Sequence, residues 1–267
     1  SPPMFLHVFI AALAAGVLAT VAAGSALALS SAWIPRLVSF AVGALLGAVF
    51  IELLPHALET GRTEPVMVTV LAGLLAFFLL EKLVLWRHSH GHEAHDDAAD
   101  ETEHAHAMHD VHGHGHDHGR SGLMILIGNS VHNFCDGIVI AAAFVAETRL
   151  GLVTTVAIVA HAVPQQVGDF AVLLHSGYTK KRAFAVNVAT GLATLAGATA
   201  GYFALATLTG ILSTVLAIAS ASLLYVAVAD LIPSLHRRPE PVETLKQMLF
   251  ILSGIAVIAV VHFVLEP

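Results

Sequence analysis

The chain has 267 residues, of which 57% are hydrophobic and only 12% are charged, and its mean hydropathy is +0.80. Such a composition is typical of a protein whose charges are confined to the loops between membrane-spanning segments. A single cysteine, Cys135, excludes an internal disulfide and a metal site built from several thiolates.

Apolar stretches long enough to cross a bilayer follow one another along the chain. They predict an all-α polytopic membrane protein with eight transmembrane helices, at residues 4–29, 33–57, 65–86, 122–146, 151–176, 183–207, 209–232 and 245–265. The first stretch lacks the positively charged start of a secretory signal and is long for one. We therefore expect it to be a span.

The positive charges predict the orientation. Ten of the twelve Lys and Arg residues lie in the loops after helices 1, 3, 5 and 7, and two lie after helices 2 and 4. Because positively charged loops stay in the cytoplasm, the first set is predicted to be cytoplasmic and both termini to lie outside. The expected location is the cell (inner) membrane of a bacterium.

Helices 2 and 7 end in similar sequences. Glu52-Leu-Leu-Pro55 in helix 2 matches Asp230-Leu-Ile-Pro233 in helix 7, and the two helices are predicted to run in opposite directions. This indicates an inverted repeat in a 3+2+3 arrangement, which is typical of transporters with a site at the bilayer midplane. The predicted divisions are residues 1–87 for helices 1 to 3, 88–121 for a cytoplasmic loop, 122–176 for helices 4 and 5, and 177–267 for helices 6 to 8.

The same repeat predicts polar groups at both ends of a path. Glu52, His56 and Glu59 are expected near the outer mouth and Asp230 near the inner one. Acidic groups at opposite ends of a path would attract a cation and release it again.

The loop after helix 3 is rich in histidine. Residues 88–118 hold eleven of the eighteen histidines, including His112, His114, His116 and His118. The segment has no apolar period, so we expect it to be disordered without metal. Such a tract binds zinc-like ions loosely, and it would act as a buffer, a sensor or a receiver for metal leaving the pore. A tract without a defined role is the alternative.

Helices 4 and 5 each carry a histidine followed four residues later by a second metal-capable side chain. These are His132 with Asp136, and His161 with Gln165. Residues four apart lie on one face of a helix, so both pairs can converge on one point. This ligand set suits zinc, iron, cobalt or cadmium better than magnesium, calcium or copper(I). A buried polar cluster or a proton relay is the alternative.

Pro164 and several glycines shape the same two helices. Pro164 removes a backbone hydrogen bond and predicts a bend in helix 5 beside His161. Small residues that include Gly128, Gly137 and Gly168 predict a close approach between helices 4 and 5.

Four other polar residues of the spans have two interpretations each. Asp169 would guide metal inward or only bond locally. His175, at the inner end of helix 5, is predicted to be an interfacial or packed histidine, with a place on the exit route as the alternative. His7 and His262 are predicted to be interfacial or packed histidines.

These motifs carry a family resemblance. HNFCDG and HAVPQQVGDF resemble the helix 4 and helix 5 signatures of the ZIP (Zrt/Irt-like protein) metal transporters, and ELLPHALE, LLYVAVADLIP and the His-rich loop fit as well. The resemblance implies eight helices in a 3+2+3 arrangement and uptake of divalent metal toward the cytoplasm. It also implies a site formed by His132, Asn133, Asp136, His161 and Gln165.

The sequence departs from the family pattern at two positions. Ala162 and Gln166 stand where the family often has glutamates, and alanine cannot bind metal. Asn133 remains, and Asn187 in helix 6 offers one more oxygen. The resemblance therefore implies a single-metal site in which Asp136 is the only close carboxylate.

The expected function is transport of a divalent metal into the cytoplasm. Zinc is the first candidate, with iron, cadmium, cobalt or manganese behind it. The metal is the transported substrate, no cofactor is expected, and the protein is not expected to be an enzyme. The expected partners are divalent metal ions and the lipid bilayer, without nucleic acid, and the assembly considered is a homodimer. The alternatives are an exporter of the cation-diffusion-facilitator type and an intramembrane zinc-dependent hydrolase.

Overall fold

The computed structural model describes residues 2–26, 33–89, 120–207, 209–236 and 240–265. Within these ranges the chain forms eight helices that are long and apolar enough to cross a membrane, as predicted. Five are uninterrupted α-helices: α3 (Thr63–Ser89), α4 (Arg120–Ala146), α5 (Thr148–His175), α6 (Lys180–Thr207) and α8 (Pro241–Leu265). Helix α5 remains α-helical through Pro164.

The other three spans contain a π-helical segment. Helix α1 consists of Pro2–Leu13, π-helical Ala14–Leu18 and Ala19–Ala26. Helix α2 consists of Ile34–Gly47, π-helical Ala48–Leu53 and Leu54–Thr60. Helix α7 follows a 3₁₀ turn, Thr209–Ile211, and consists of Leu212–Tyr225, π-helical Val226–Leu231 and Ile232–Leu235.

The π-helical segments of α2 and α7 occupy matching positions. Each ends two residues before a proline, Pro55 in α2 and Pro233 in α7. In both helices the residue that follows the segment donates its N–H to the carbonyl five residues earlier. A proline clashes with the carbonyl four residues before it, and a wider turn relieves that clash. The two helices therefore share a local backbone irregularity as well as the sequence around it.

Glycines let α4 and α6 approach until their backbones touch. A Cβ atom on Gly137 would lie 2.0 Å from the carbonyl oxygen of Thr194, and one on Gly197 would lie 2.0 Å from that of Phe134. Neither position can take a side chain without moving a helix. This contact holds α4, which carries His132 and Asp136, against α6.

The prediction that these small residues bring α4 and α5 together was wrong for three glycines. Gly137 faces α6, as described above, and a Cβ on Gly128 or Gly168 would meet nothing within 4 Å. Helices α4 and α5 do contact each other, and one close contact is that of Gly151 on α5 with Phe144 on α4. Sequence spacing alone did not show which neighbour each glycine faces.

The remaining contacts divide the helices into two groups. Helices α1, α4, α5 and α6 contact one another, and α2 packs most extensively on α8 while α3 packs on α7. Helix α5 also contacts α2, so the two groups meet along α5. The described surfaces of α3 and α8 are largely exposed apolar side chains. Such surfaces suit contact with lipid.

Candidate metal site

Three side chains from α4 and α5 bring their ligand atoms together. The Nε2 atoms of His132 and His161 are 3.3 Å apart. Oδ2 of Asp136 lies 3.5 Å from Nε2 of His132 and 3.3 Å from Nε2 of His161. Within the described part of the chain, this is the group of histidine, cysteine and acidic residues whose geometry could hold a metal ion.

The size of this triangle matches a tetrahedral metal site. With zinc bonds of about 2.1 Å, two donor atoms of a tetrahedral site lie roughly 3.4 Å apart. The three measured separations in the site are 3.3, 3.3 and 3.5 Å. The three atoms therefore occupy positions suited to three corners of a tetrahedron, and the fourth corner is available to another ligand.

Burial gives the site a closed side and an open side. The side chains of Asp136 and His161 are 2% and 1% exposed, whereas that of His132 is 24% exposed. The cluster is therefore accessible on the side of His132. Oδ1 of Asp136 is buried and has no hydrogen-bond partner among the described residues. A buried carboxylate oxygen without a donor is costly, and a bound cation would remove that cost.

The ring of His161 is oriented for ligation by Nε2. Its Nδ1 lies 3.4 Å from the carbonyl oxygen of Ala157, one turn earlier in α5. A proton on Nδ1 that faces this carbonyl leaves the lone pair on Nε2, which points to the cluster. The rings of His132 and His161 meet edge to face, with centroids 5.5 Å apart.

Two further residues expected at this site have different surroundings. Asn133 is buried, and its amide nitrogen donates to the carbonyl oxygen of Thr190 on α6, at 2.9 Å. Gln165 is half-buried on α5, one turn after His161. The amide of Asn133 therefore links α4 to α6, while Gln165 lies on the helix face that carries His161.

The two positions at which the family often has glutamates, residues 162 and 166, are both buried. Ala162 is 5% exposed and Gln166 is 3% exposed. Oε1 of Gln166 has no hydrogen-bond partner within the described residues. Neither residue brings a carboxylate near the triangle, so Asp136 is its one acidic member.

A second polar contact joins α4 and α5. The side-chain amide of Asn129 donates to Oδ2 of Asp169. Asn129 precedes His132 by about one turn of α4, and Asp169 follows His161 by about two turns of α5. Asn187 is buried on α6, where its amide nitrogen donates to the carbonyl oxygen of Ala183.

The residues predicted for the outer mouth contact residues on other helices. Nδ1 of His262 on α8 donates to Oε1 of buried Glu52 on α2. Nδ1 of His56 lies 3.8 Å from Oε2 of Glu147, the residue between α4 and α5. Oε1 of Glu147 is 3.5 Å from Nε of Arg149.

The remaining predicted residues lie away from these contacts or outside the described part of the chain. Glu59 is exposed near the end of α2. His175 is exposed, and its Nδ1 pairs with the carbonyl oxygen of Ala171. Asp230 has its backbone in the π-helical segment of α7, but its side chain is outside the described set. The loop histidines His112, His114, His116 and His118 lie outside the described residues.

Sequence reasoning missed two members of these polar contacts. His262 was expected to be an interfacial or packed histidine, but it pairs with Glu52. The sequence did contain a signal for this pair, because an ionisable residue in a membrane span needs a polar partner. Asn129 was not selected, although it lies three residues before His132 on the same face of α4.

Comparison with known proteins connects this site to one family. The sequence model of the ZIP zinc transporter family matches residues 4–262. The zinc transporter ZIP13 of Pongo abelii is 32% identical over 85% of this chain and 67% of its own length. The zinc transporter SLC39A7 of Mus musculus is 28% identical over 84% of this chain and 62% of its own length. The zinc transporter ZIP4 of Homo sapiens is 30% identical over 76% of this chain and 39% of its own length.

The family match spans nearly the whole chain, and the eight membrane-length helices agree with it. The family match excludes the two alternatives, an exporter of the cation-diffusion-facilitator type and an intramembrane zinc-dependent hydrolase. The chain belongs to the ZIP zinc transporter family, and it is accordingly a multispanning membrane transporter of divalent metal ions and not an enzyme.

Proposed function

We propose that this protein moves zinc into the cytoplasm through the site on α4 and α5. The observation that carries the proposal is the triangle of His132, Asp136 and His161, whose donor atoms are separated by 3.3 to 3.5 Å. Two imidazoles and one carboxylate favour zinc over magnesium or calcium. Iron, cadmium, cobalt and manganese are the other candidates.

The proposed site holds one metal ion at a time. Its net charge is −1 when both histidines are neutral, and the ion brings +2. The amide oxygen of Gln165, one turn after His161, would supply the fourth ligand. The oxygen of Asn133 is the other candidate for this position, while its nitrogen stays bonded to the carbonyl of Thr190. A site with one carboxylate binds zinc moderately, which lets the ion leave again.

The proposed path extends from this site in both directions. Glu52, His56 and Glu59 would receive the ion on the outer side. Residues toward the cytoplasm would pass it on; they are Asp169, His175, Asn187 and Asp230. The histidines of the loop, His112 to His118, would collect the released ion.

The proposed orientation follows from charge and from internal similarity. Ten of the twelve Lys and Arg residues fall in the loops assigned to the cytoplasm, which puts the His-rich loop there and the termini outside. The matching π-helical segments of α2 and α7 support the inverted repeat in a 3+2+3 arrangement. The membrane would be the inner membrane of a bacterial cell, with a homodimer as the proposed assembly.

Zinc uptake into oriented proteoliposomes tests the proposal. Protein inserted with its outer side facing the bath should move zinc into the vesicles, and adding cadmium, iron, cobalt or manganese to the bath ranks the metals. His161→Ala should abolish uptake in correctly inserted protein. His7→Ala should retain it, because His7 stacks on Phe144 away from the triangle. Undiminished flux in His161→Ala would contradict the proposed site, and net movement outward would contradict the proposed direction.

A further inference from the structure

Glu52 and His262 form a polar pair that joins α2 and α8. They are 210 residues apart in sequence, and Nδ1 of His262 contacts Oε1 of Glu52. Their side chains are 3% and 16% exposed, with Glu52 the more buried. A carboxylate and an imidazole within a span are costly in free energy, so such residues usually mark a functional site.

Close packing of α2 on α8 fixes the geometry of this pair. A Cβ on Gly43 would lie 1.9 Å from the carbonyl oxygen of Ile251, and one on Gly254 would lie 2.3 Å from that of Phe40. The two backbones are therefore in contact two to three turns before Glu52 and His262. Such packing leaves little freedom for one helix to slide along the other.

An apolar layer separates the pair from the central site. The layer is formed by buried residues of α2, α5 and α8, namely Ala44, Ala48, Val153, Ala157 and Ile258. Consecutive spans alternate in direction, so α2 and α8 run antiparallel to α5. Glu52 and His262 lie one turn beyond the layer on one side, and His161 lies one turn beyond it on the other. The two sites are roughly 18 Å apart along the helix axes.

We propose that Glu52 and His262 are ligands of a second divalent-metal site, which the ion occupies before it reaches the central triangle. The inference rests on the proposed function. One imidazole nitrogen and one carboxylate oxygen suit a zinc-like ion, with water in the remaining positions, and they discriminate against magnesium and calcium. The selection of the metal would thus begin on the outer side of the apolar layer.

The alternative is that the pair serves only as a structural contact between α2 and α8. The variant His262→Asn distinguishes a structural contact from a metal site. The Nδ2 atom of asparagine can replace Nδ1 of histidine as the donor to Glu52, but it cannot bind a metal as imidazole does. If the pair only holds the helices together, the variant should behave like the wild type. If the pair binds metal, the KM for zinc uptake should rise about tenfold with little change in Vmax. The preference for zinc over manganese should fall as well.

Two controls accompany this measurement. His7→Asn changes another histidine of the outer half and should leave the KM and the metal preference unchanged. Glu52→Gln keeps a hydrogen-bonding side chain but removes the charge, and it should raise the KM as His262→Asn does. Wild-type KM and metal preference in both His262→Asn and Glu52→Gln would overturn the second site.

A measurement on the wild-type protein covers the case in which the variants fail to insert. Diethylpyrocarbonate modifies accessible imidazoles, and mass spectrometry locates the modified residues. Zinc, but not magnesium, should slow modification of His262 and leave His7 unaffected. Equal modification of His262 with and without zinc would overturn the proposal. Wild-type protein without zinc flux would contradict the proposed function, whereas flux without protection of His262 would contradict the second site alone.

Discussion

Asn129 on α4 donates a hydrogen bond to Asp169 on α5, about one turn before His132 and two turns after His161. The pair lies toward the start of α4 and the end of α5, which are the proposed cytoplasmic ends. It is the second polar contact between the helices that form the metal site. An ion that leaves the triangle toward the cytoplasm would meet the carboxylate of Asp169 next.

Asp169→Asn should slow the release of metal toward the cytoplasm. The variant keeps the size of the side chain but removes the charge that attracts the departing ion. We expect Vmax for zinc uptake to fall about tenfold, with a smaller change in KM, because the first binding steps are unaffected. Initial rates over a range of zinc concentrations measure both. Glu64→Gln, at the exposed start of α3, is the control for the loss of one acidic group. An unchanged Vmax would mean that Asp169 only forms a local hydrogen bond.

Gly197→Ala should disturb the metal site from a distance. A Cβ at Gly197 would lie 2.0 Å from the carbonyl oxygen of Phe134, so α4 must move away from α6. Overpacking of this kind costs about 1–3 kcal/mol. We expect a lower melting temperature in detergent and weaker zinc uptake, because Phe134 lies between the proposed ligands His132 and Asp136.

Gly128→Ala is the matched control for this substitution. It lies on α4 as well, and its Cβ would meet nothing within 4 Å. Both variants gain the same helix propensity, roughly 1 kcal/mol in favour of alanine. A difference in melting temperature between them therefore reports the contact with α6. Equal stability and uptake in the two variants would contradict the inferred contact.

The number of spans and the pairing of His132 with Asp136 could be predicted because each depends on local sequence. Membrane-length apolar stretches mark the helices, and spacing of four residues places His132 with Asp136 on one face. That His161 faces the same point follows once two consecutive helices lie side by side. These features need no knowledge of the remaining helices.

The contacts between distant helices could not be predicted in this way. His262 pairs with Glu52 because α8 packs on α2. The sequence of neither helix shows which other helix lies beside it. Gly137 faces α6 for the same reason. The π-helical segment before Pro55 was also missed, although a proline inside a span makes a local change in hydrogen bonding necessary.

Deletion of residues 90–118 should change retention of metal more than the transport rate. This tract lies between α3 and α4, and its composition predicts disorder, so it does not build the path through the membrane. We expect the initial rate of zinc uptake into proteoliposomes to stay within about twofold of the full chain. Metal retained by cells after zinc exposure should fall, because eleven histidines lie in 88–118 and most are removed. Complete loss of flux in correctly inserted protein would contradict this separation of roles.

Ala162→Glu should make the stability of the protein depend more strongly on metal. Ala162 is 5% exposed and follows His161 directly, so a glutamate there would be a buried charge near the triangle. Without metal, such a charge destabilises the fold by several kcal/mol. The family resemblance implies that a carboxylate at this position helps to bind a second ion, and an ion bound only to the folded protein raises its stability. We therefore expect Ala162→Glu to melt at a lower temperature than Ala162→Gln in chelator, because the glutamine has the same size without the charge. Zinc should then raise the melting temperature of Ala162→Glu more than that of Ala162→Gln. Equal zinc-induced shifts in the two variants would mean that residue 162 cannot contribute a ligand in this protein.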